Sequence, residues 1–278
     1  LVTSTDFLNW SDPRLIFAAD KRDDVGTLQR LEKVRPLLSV EDDPLVMRSE
    51  VYGVGIYQAE SCTIGFPWIF SINNRAPASL HGNQEGPCEI QLAVSRDLDN
   101  WDRPFRVPVV PLGTTEEWDS GFLITQSNAL RVGDEIRLYY SGWNFTHGAP
   151  CCYAREGTGR GSRYKSQIGL VTWKLDRFVS LDGPPDGGTV TTVPLTFTGN
   201  RLELNARVAE GGMLRVEMLD AAGRPLPGWS LSDPWTGDRL RGVVSWGGTT
   251  DVSRLASRAV CLRIHLRSAE LYSFAFRD

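Results

Sequence analysis

Two stretches of this chain, STDFLNW (residues 4–10) and SRDLDNW (residues 95–101), spell one phrase, Ser-x-Asp-x-x-Asn-Trp, and each runs on to a proline, Pro13 and Pro104. A phrase said twice constrains the fold more than any single motif, because self-similarity at a distance marks an architecture of repeated units. Ser and Asp side chains accept bonds from backbone amides a few residues on and so cap tight turns. A Trp behind the turn supplies a broad ring to pack between units. The phrase is therefore a turn device rather than a catalytic one.

The runs around it alternate apolar and polar residues between Gly, Asn, Asp and Pro, the pattern of strands. SEVYGVGIYQ (49–58), CTIGFPWIFSI (62–72), CEIQLAVSRD (88–97) and RPFRVPVV (103–110) form one series. GFLITQSNALR (121–131), EIRLYYSGW (135–143), SQIGLVTWKLDRF (166–178) and VSLDG (179–183) form a second. The third run of that series ends in a degraded phrase, with Asp176 in the place of Asp6 and Asp97. Each series reads as a four-stranded antiparallel meander, a propeller blade, lengthened by inserts at 73–87 and 144–165 beyond the usual length of about 40–50 residues. Residues 1–20 read as the end of an earlier blade. A ring closes with about four to eight blades, so an N-terminal propeller segment is expected to be missing from this chain. One helix is predicted, TLQRLEKVRPLLSV (27–40), on the spacing of Leu28, Leu31 and Val34, with Pro36 ending it. The acidic runs beside it, Asp23-Asp24 and Glu41-Asp42-Asp43, read as solvated faces.

After Gly188 the texture changes. Leu214, Val216 and Met218 alternate with Arg215 and Glu217, and Leu262, Ile264 and Leu266 with Arg263, His265 and Arg267. One apolar and one charged face predict a β-sandwich, with His265 on the polar side and Trp229, Trp235 and Trp246 as packing rings. The expected fold class is all-β: propeller blades over 1–185, then a sandwich over 186–278.

Composition narrows the function. Hydrophobic residues make up 41% of the 278, enough for a sizeable core, and the net charge of −4 with no basic stripe argues against nucleic acid. No apolar run is long enough to span a membrane as a helix. Cys62, Cys88, Cys151, Cys152 and Cys261 lack metal-ligand spacing, so mostly free thiols are expected, with a Cys62–Cys88 bridge open if the chain is exported. No metal and no cofactor are expected. The glycines at 157, 159 and 161 lack the strand and helix that a nucleotide loop needs.

The blade phrase, the segment RSEVYGVGIYQAESCTIGFPWIF (48–70) and the tail from GGTVTTVPLTFTGNRLELNARV (187–208) onward resemble the five-bladed propeller glycoside hydrolases of families 32 and 43 with their C-terminal sandwich. The resemblance implies hydrolysis of glycosidic bonds in an oligo- or polysaccharide by carboxylates at the mouth of a central funnel. Chemistry asks for at least two carboxyl groups, one protonated and one ionised. The families' Asp-Pro and Arg-Asp-Pro signatures have no convincing match: Asp12-Pro13 follows the turn, and Asp43-Pro44 sits in a charged loop. The candidate catalytic residues are Glu50, which opens an inner strand, and Asp119, just before the next one. Arg48, Tyr52, Trp118, Gln126, Trp143 and His147 are candidate substrate-binding residues, the last two in the long loop 142–166 that also carries Arg155, Arg160, Arg163 and Tyr164. Two other readings stand beside hydrolysis. One is a carbohydrate-binding propeller without chemistry. The other is a sialidase-like enzyme, whose arginine triad and Tyr nucleophile are echoed only by Arg48 with Tyr52.

Overall fold

The computed structural model describes residues 1–76, 84–149 and 164–278. Cys151, Cys152, Arg155, Arg160, Arg163 and the three glycines at 157, 159 and 161 lie outside them. Two compact units emerge, Leu1–Thr172 and Trp173–Asp278. Apart from helix α1 and short 3-10 turns, the regular structure of the described residues is strand, and the fold is all-β.

Helix α1 (Lys21–Lys33) begins six residues before the predicted start and stops short of Pro36, with a 3-10 turn at Arg35–Leu37. Asp20 caps it by accepting from the Arg22 and Asp23 amides, while the Asp23 side chain returns to the Asp20 amide, a complete capping box. The apolar spacing hid this start because the buried face is largely polar: Asp23, Thr27 and Arg30 are buried with Leu31, whereas Leu28 is 60% exposed. Asp23 is thus not a solvated acid. Arg103 grips its two carboxylate oxygens, each at 2.7 Å, and Arg106 adds a third contact at 3.1 Å. Asp42 is likewise paired, with Arg35 at 2.8 Å.

In the first meander, β1 (Arg48–Gln58) pairs antiparallel with β2 (Thr63–Ile72), with a register shift between Val51 and Gly53. A two-stranded ribbon follows, β3 (Asn74–Arg75) with β4 (Gln84–Glu85). The predicted third run is two strands, β5 (Cys88–Ile90) and β6 (Ala93–Ser95), both on β2. The fourth is β7 (Trp101–Asp102) on β6, shorter than the predicted 103–110. In the second meander β8 (Phe122–Thr125) and β9 (Leu130–Val132) both pair with β10 (Glu135–Trp143), which also borders β11 (Ser166–Lys174). A parallel pairing of Cys88 with Phe122 joins the two meanders into one nine-stranded sheet. The predicted fourth strand of the second series does not join it. Its residues Leu181–Gly183 pair instead in the second unit.

The repeated phrase folds twice in the same way. Ser4 Oγ accepts from the Phe7 amide (2.8 Å), and Asp6 Oδ1 from the amides of Leu8 and Asn9 (2.8 Å each). Ser95 Oγ accepts from Leu98 (2.8 Å), and Asp97 Oδ1 from Asp99 (3.0 Å) and Asn100 (2.7 Å). In both copies the Asn side chain closes onto the second Asp oxygen at 2.8 Å. The capped turn holds a non-glycine residue in the left-handed region, Phe7 (φ 62°) and Leu98 (φ 66°). In the third copy Asp176 itself takes the left-handed region (φ 58°), in a different turn closed by the Arg177 amide on the Lys174 carbonyl at 3.0 Å.

The second unit is a five-stranded sheet: β12 (Leu181–Gly183), β13 (Gly188–Thr191), β14 (Arg201–Asp220), β15 (Asp238–Val243) and β16 (Val260–Arg277). β14 and β16 pair along nearly their whole length, through shifts at Asn205/Ala206 and Val208/Met213. The second shift surrounds Gly211 (φ 72°) and lies near Ser268 (φ 46°). Bulges bend strands, and both halves of β14 accordingly meet in one core: Leu202 and Leu204 with Leu214, Val216 and Met218. Trp235 and Trp246 are buried there, and Trp229 packs against them. His265 lies 3.3 Å from Glu217. Cys62, Cys88 and Cys261 are free thiols, so the Cys62–Cys88 bridge does not form.

Candidate functional site

Arg48, Glu50 and Tyr52 occupy alternate positions at the start of β1, and alternation puts them on one face. Arg48 Nε and Nη2 bind Glu50 Oε1 at 2.8 and 2.7 Å, with both side chains 41% exposed. Tyr52 falls at the register shift and has no partner on β2. A bulge of this kind re-aims a side chain. The Tyr52 ring, 48% exposed, leans on Phe70 of β2 (5.4 Å between centroids) and Phe122 of β8 (6.0 Å).

His147 reaches this floor from the segment after β10. Its amide donates to Gly86 O (3.0 Å), its ring lies 5.0 Å from Phe70 and 5.3 Å from Phe122, and Nε2 is 2.9 Å from Tyr52 Oη. Nδ1 faces the Gln84 carbonyl at 2.9 Å. A carbonyl only accepts, so Nδ1 carries the proton, and in the neutral ring Nε2 accepts from the Tyr52 hydroxyl. Trp143 meets the edge of Phe122 at 5.7 Å. Arg48 with Glu50, and Tyr52 with His147 and Trp143, are the predicted residues that tertiary contacts gather.

Asp119 and Trp118 belong to a different surface. Asp119 Oδ2 accepts from Tyr140 Oη (2.9 Å), and Trp118 stacks on Tyr140 at 5.6 Å and 18°. Tyr140 is opposite Thr125, whereas Trp143 is opposite Phe122. The pleat therefore sends Tyr140 and Phe122 to opposite faces of the β8–β10 pair. Burial, and then the Asp119 bond and charge, push the Tyr140 hydroxyl up to about 12. Gln126 is exposed, with its backbone amide bound to Tyr139 O.

A third carboxyl, passed over in the sequence, lies behind the floor. Glu85 is fully buried; Thr146 Oγ1 and the Ser39 amide donate to its Oε1, and Oε2 has no hydrogen-bond partner among the described residues. Burial raises this carboxyl above the usual range, against the pull of the Thr146 bond. The insert it occupies carried no strand pattern to single it out.

The gathered residues present ring faces, a hydroxyl, an imidazole and an ion-paired carboxylate on one half-exposed floor. Among the described residues no cluster of three or more His, Cys, Asp or Glu could hold a metal ion. No family model matches the chain, and no curated protein does. Among solved structures, a glycoside hydrolase family 43 arabinoxylan arabinofuranohydrolase from Bacillus subtilis, in complex with cellotetraose, aligns at 9% identity and a TM-score of 0.22. The alignment covers 81% of this chain and 53% of that one, so the chain spans about half that structure's length. At that score the likeness bears on neither site nor reaction.

Proposed function

We propose that this chain is a carbohydrate-active protein of the glycoside hydrolase kind, whose meanders are propeller blades and whose sugar sits on the Tyr52–His147 floor. The observation that carries the reading is the half-exposed row Arg48–Glu50–Tyr52 with His147 beside it. Exposed rings with polar tips suit the apolar faces and hydroxyl rims of sugars. Glu50, ion-paired with Arg48 at 2.7 Å and half-exposed on that row, is the carboxylate placed to act as base, nucleophile or substrate anchor.

A second reading, binding without hydrolysis, is favoured by Asp119. Its carboxylate is engaged by Tyr140 on the opposite pleat from Phe122, and acid/base cleavage needs two carboxyl groups at one bond.

Screening the full chain against aryl glycosides and against arabinan, xylan and fructan oligosaccharides separates the two. Hydrolysis that falls by about 10²–10⁴-fold in Glu50→Gln, with an unchanged melting temperature, supports the first reading. The same loss in Asp119→Asn would identify Asp119 as the second carboxylate. Binding without turnover, weakened in both Tyr52→Ala and Glu50→Gln, supports the second. Neither turnover nor binding across the panel sinks both.

A further inference from the structure

On the face of the β1–β2–β5 sheet that α1 covers, the helix and residues 106–108 border a cleft of about 460 Å³. Ser49, Ser71 and Glu89 belong to this face, and Glu50, Phe70 and Cys88 alternate onto the other. The cleft is thus separate from the Tyr52 floor.

Two buried, oppositely charged side chains line it. Arg30, 7% exposed, is anchored from behind: Nε donates to Ser71 Oγ (2.6 Å), and Nη2 donates to Ser49 Oγ (2.8 Å) and to the Asp23 carbonyl. Its Nη1 has no hydrogen-bond partner among the described residues, and it lies where a Cβ on Gly26 would collide with it. Glu89, 4% exposed, accepts from Gln91 Nε2 at Oε1 (2.7 Å), and its Oε2 has no partner among the described residues. The two side chains do not form an ion pair. Burial lowers the Arg30 pKa, and the charge of Glu89 is the foremost influence opposing it.

A donor and an acceptor are therefore left free on the wall of the cleft, open to whatever enters it. Lys21, Arg22 and Lys33 stand around the opening, exposed and without ion pairs among the described residues. In a chain of net charge −4, this cationic rim favours an anion. Glu89 excludes a bare one and asks for a hydrogen-bond donor next to the charge. The volume lies within the range of about 300–1,000 Å³ found for small-molecule sites.

We propose that this cleft is a second binding site, for a small hydroxy acid of the sugar-acid class. Its carboxylate meets Arg30 Nη1 and the lysine rim, and a neighbouring hydroxyl donates to Glu89 Oε2.

The test is isothermal titration of the full chain with gluconate, acetate, glucose and inorganic phosphate. Gluconate binds, while acetate (no hydroxyl), glucose (no acid) and phosphate bind at least about tenfold more weakly. Lys33→Glu, on the exposed rim, weakens gluconate about tenfold with the melting temperature unchanged. Glu89→Gln, checked for folding by circular dichroism, narrows the gap between gluconate and acetate. Three results overturn the proposal: no heat from gluconate up to about 10 mM, acetate or phosphate binding as tightly as gluconate, or unchanged affinity in Lys33→Glu. The glycosidase screen is indifferent to each of these outcomes, so the two readings fail separately.

Discussion

Asp97 sits on the surface, yet its carboxyl is drawn down to about 2, chiefly by the Asn100 side chain and then by the Asn100 and Asp99 amides. A carboxyl whose pKa is lower folded than unfolded contributes stability that is complete above the unfolded value of about 3.9 and fades as pH falls through the folded one. Asp97→Asn is expected to flatten the dependence of melting temperature on pH between about pH 4 and pH 2. A carboxyl titration followed by NMR should show the wild-type midpoint near 2; an ordinary midpoint would mean that the turn is not capped as described. Asp6, with the same bonds in the first copy, is held still lower by Asn9 and Leu8. At this scale the sequence was legible: the capping roles of Ser and Asp were set by side chains reaching two or three residues along the chain. The third copy carries Lys174 where the others have serine, and its turn is closed by the Arg177–Lys174 backbone bond instead of by side-chain caps.

Among the elements, β1 shows what alternation conveys and what it does not. Its span agrees with the predicted run to within one residue, as does β2. The shift at Tyr52, the feature that frees that ring, had no mark in the pattern. Gly55, further along β1, faces the second meander: a Cβ there would collide with Thr125 Oγ1 and the Gln126 carbonyl. Ile56 bonds to Ser127 O (2.9 Å) and accepts from Ala129 N (2.8 Å) in the same region. Gly55→Ala should therefore destabilise the protein by about 1–3 kcal/mol in urea unfolding. A neutral result would show that β1 and the 125–129 segment do not pack this closely. The apolar spacing found helix α1 but missed its first six residues for a related reason. Apart from Leu31, its buried side chains are charged or polar because Arg103, Ser49 and Ser71 wait for them, and those partners are far away in sequence.

For the molecule as a whole, the second unit, Trp173–Asp278, carries a core of its own from Phe197 to Leu271. Residues 173–278 expressed alone are expected to unfold cooperatively in urea with dispersed amide NMR signals. A non-cooperative, poorly dispersed fragment would show that this core is not self-sufficient. The segment 181–183 illustrates assignment by partner. As a sequence, VSLDG suits an edge strand of either sheet, and its hydrogen bonds to β16 decide the matter.

The chain's own letters determined the all-β class, most strand positions and the capped turns, since alternation and side-chain-to-backbone bonds act over a few residues. Tertiary structure alone decided which candidates meet: Tyr52 with His147, Asp119 with Tyr140, and Arg30 and Glu89 at one cleft. Such meetings depend on bulges, register and the pleat's choice of face, and a single-residue slip in any of them sends a side chain to the other side of the sheet.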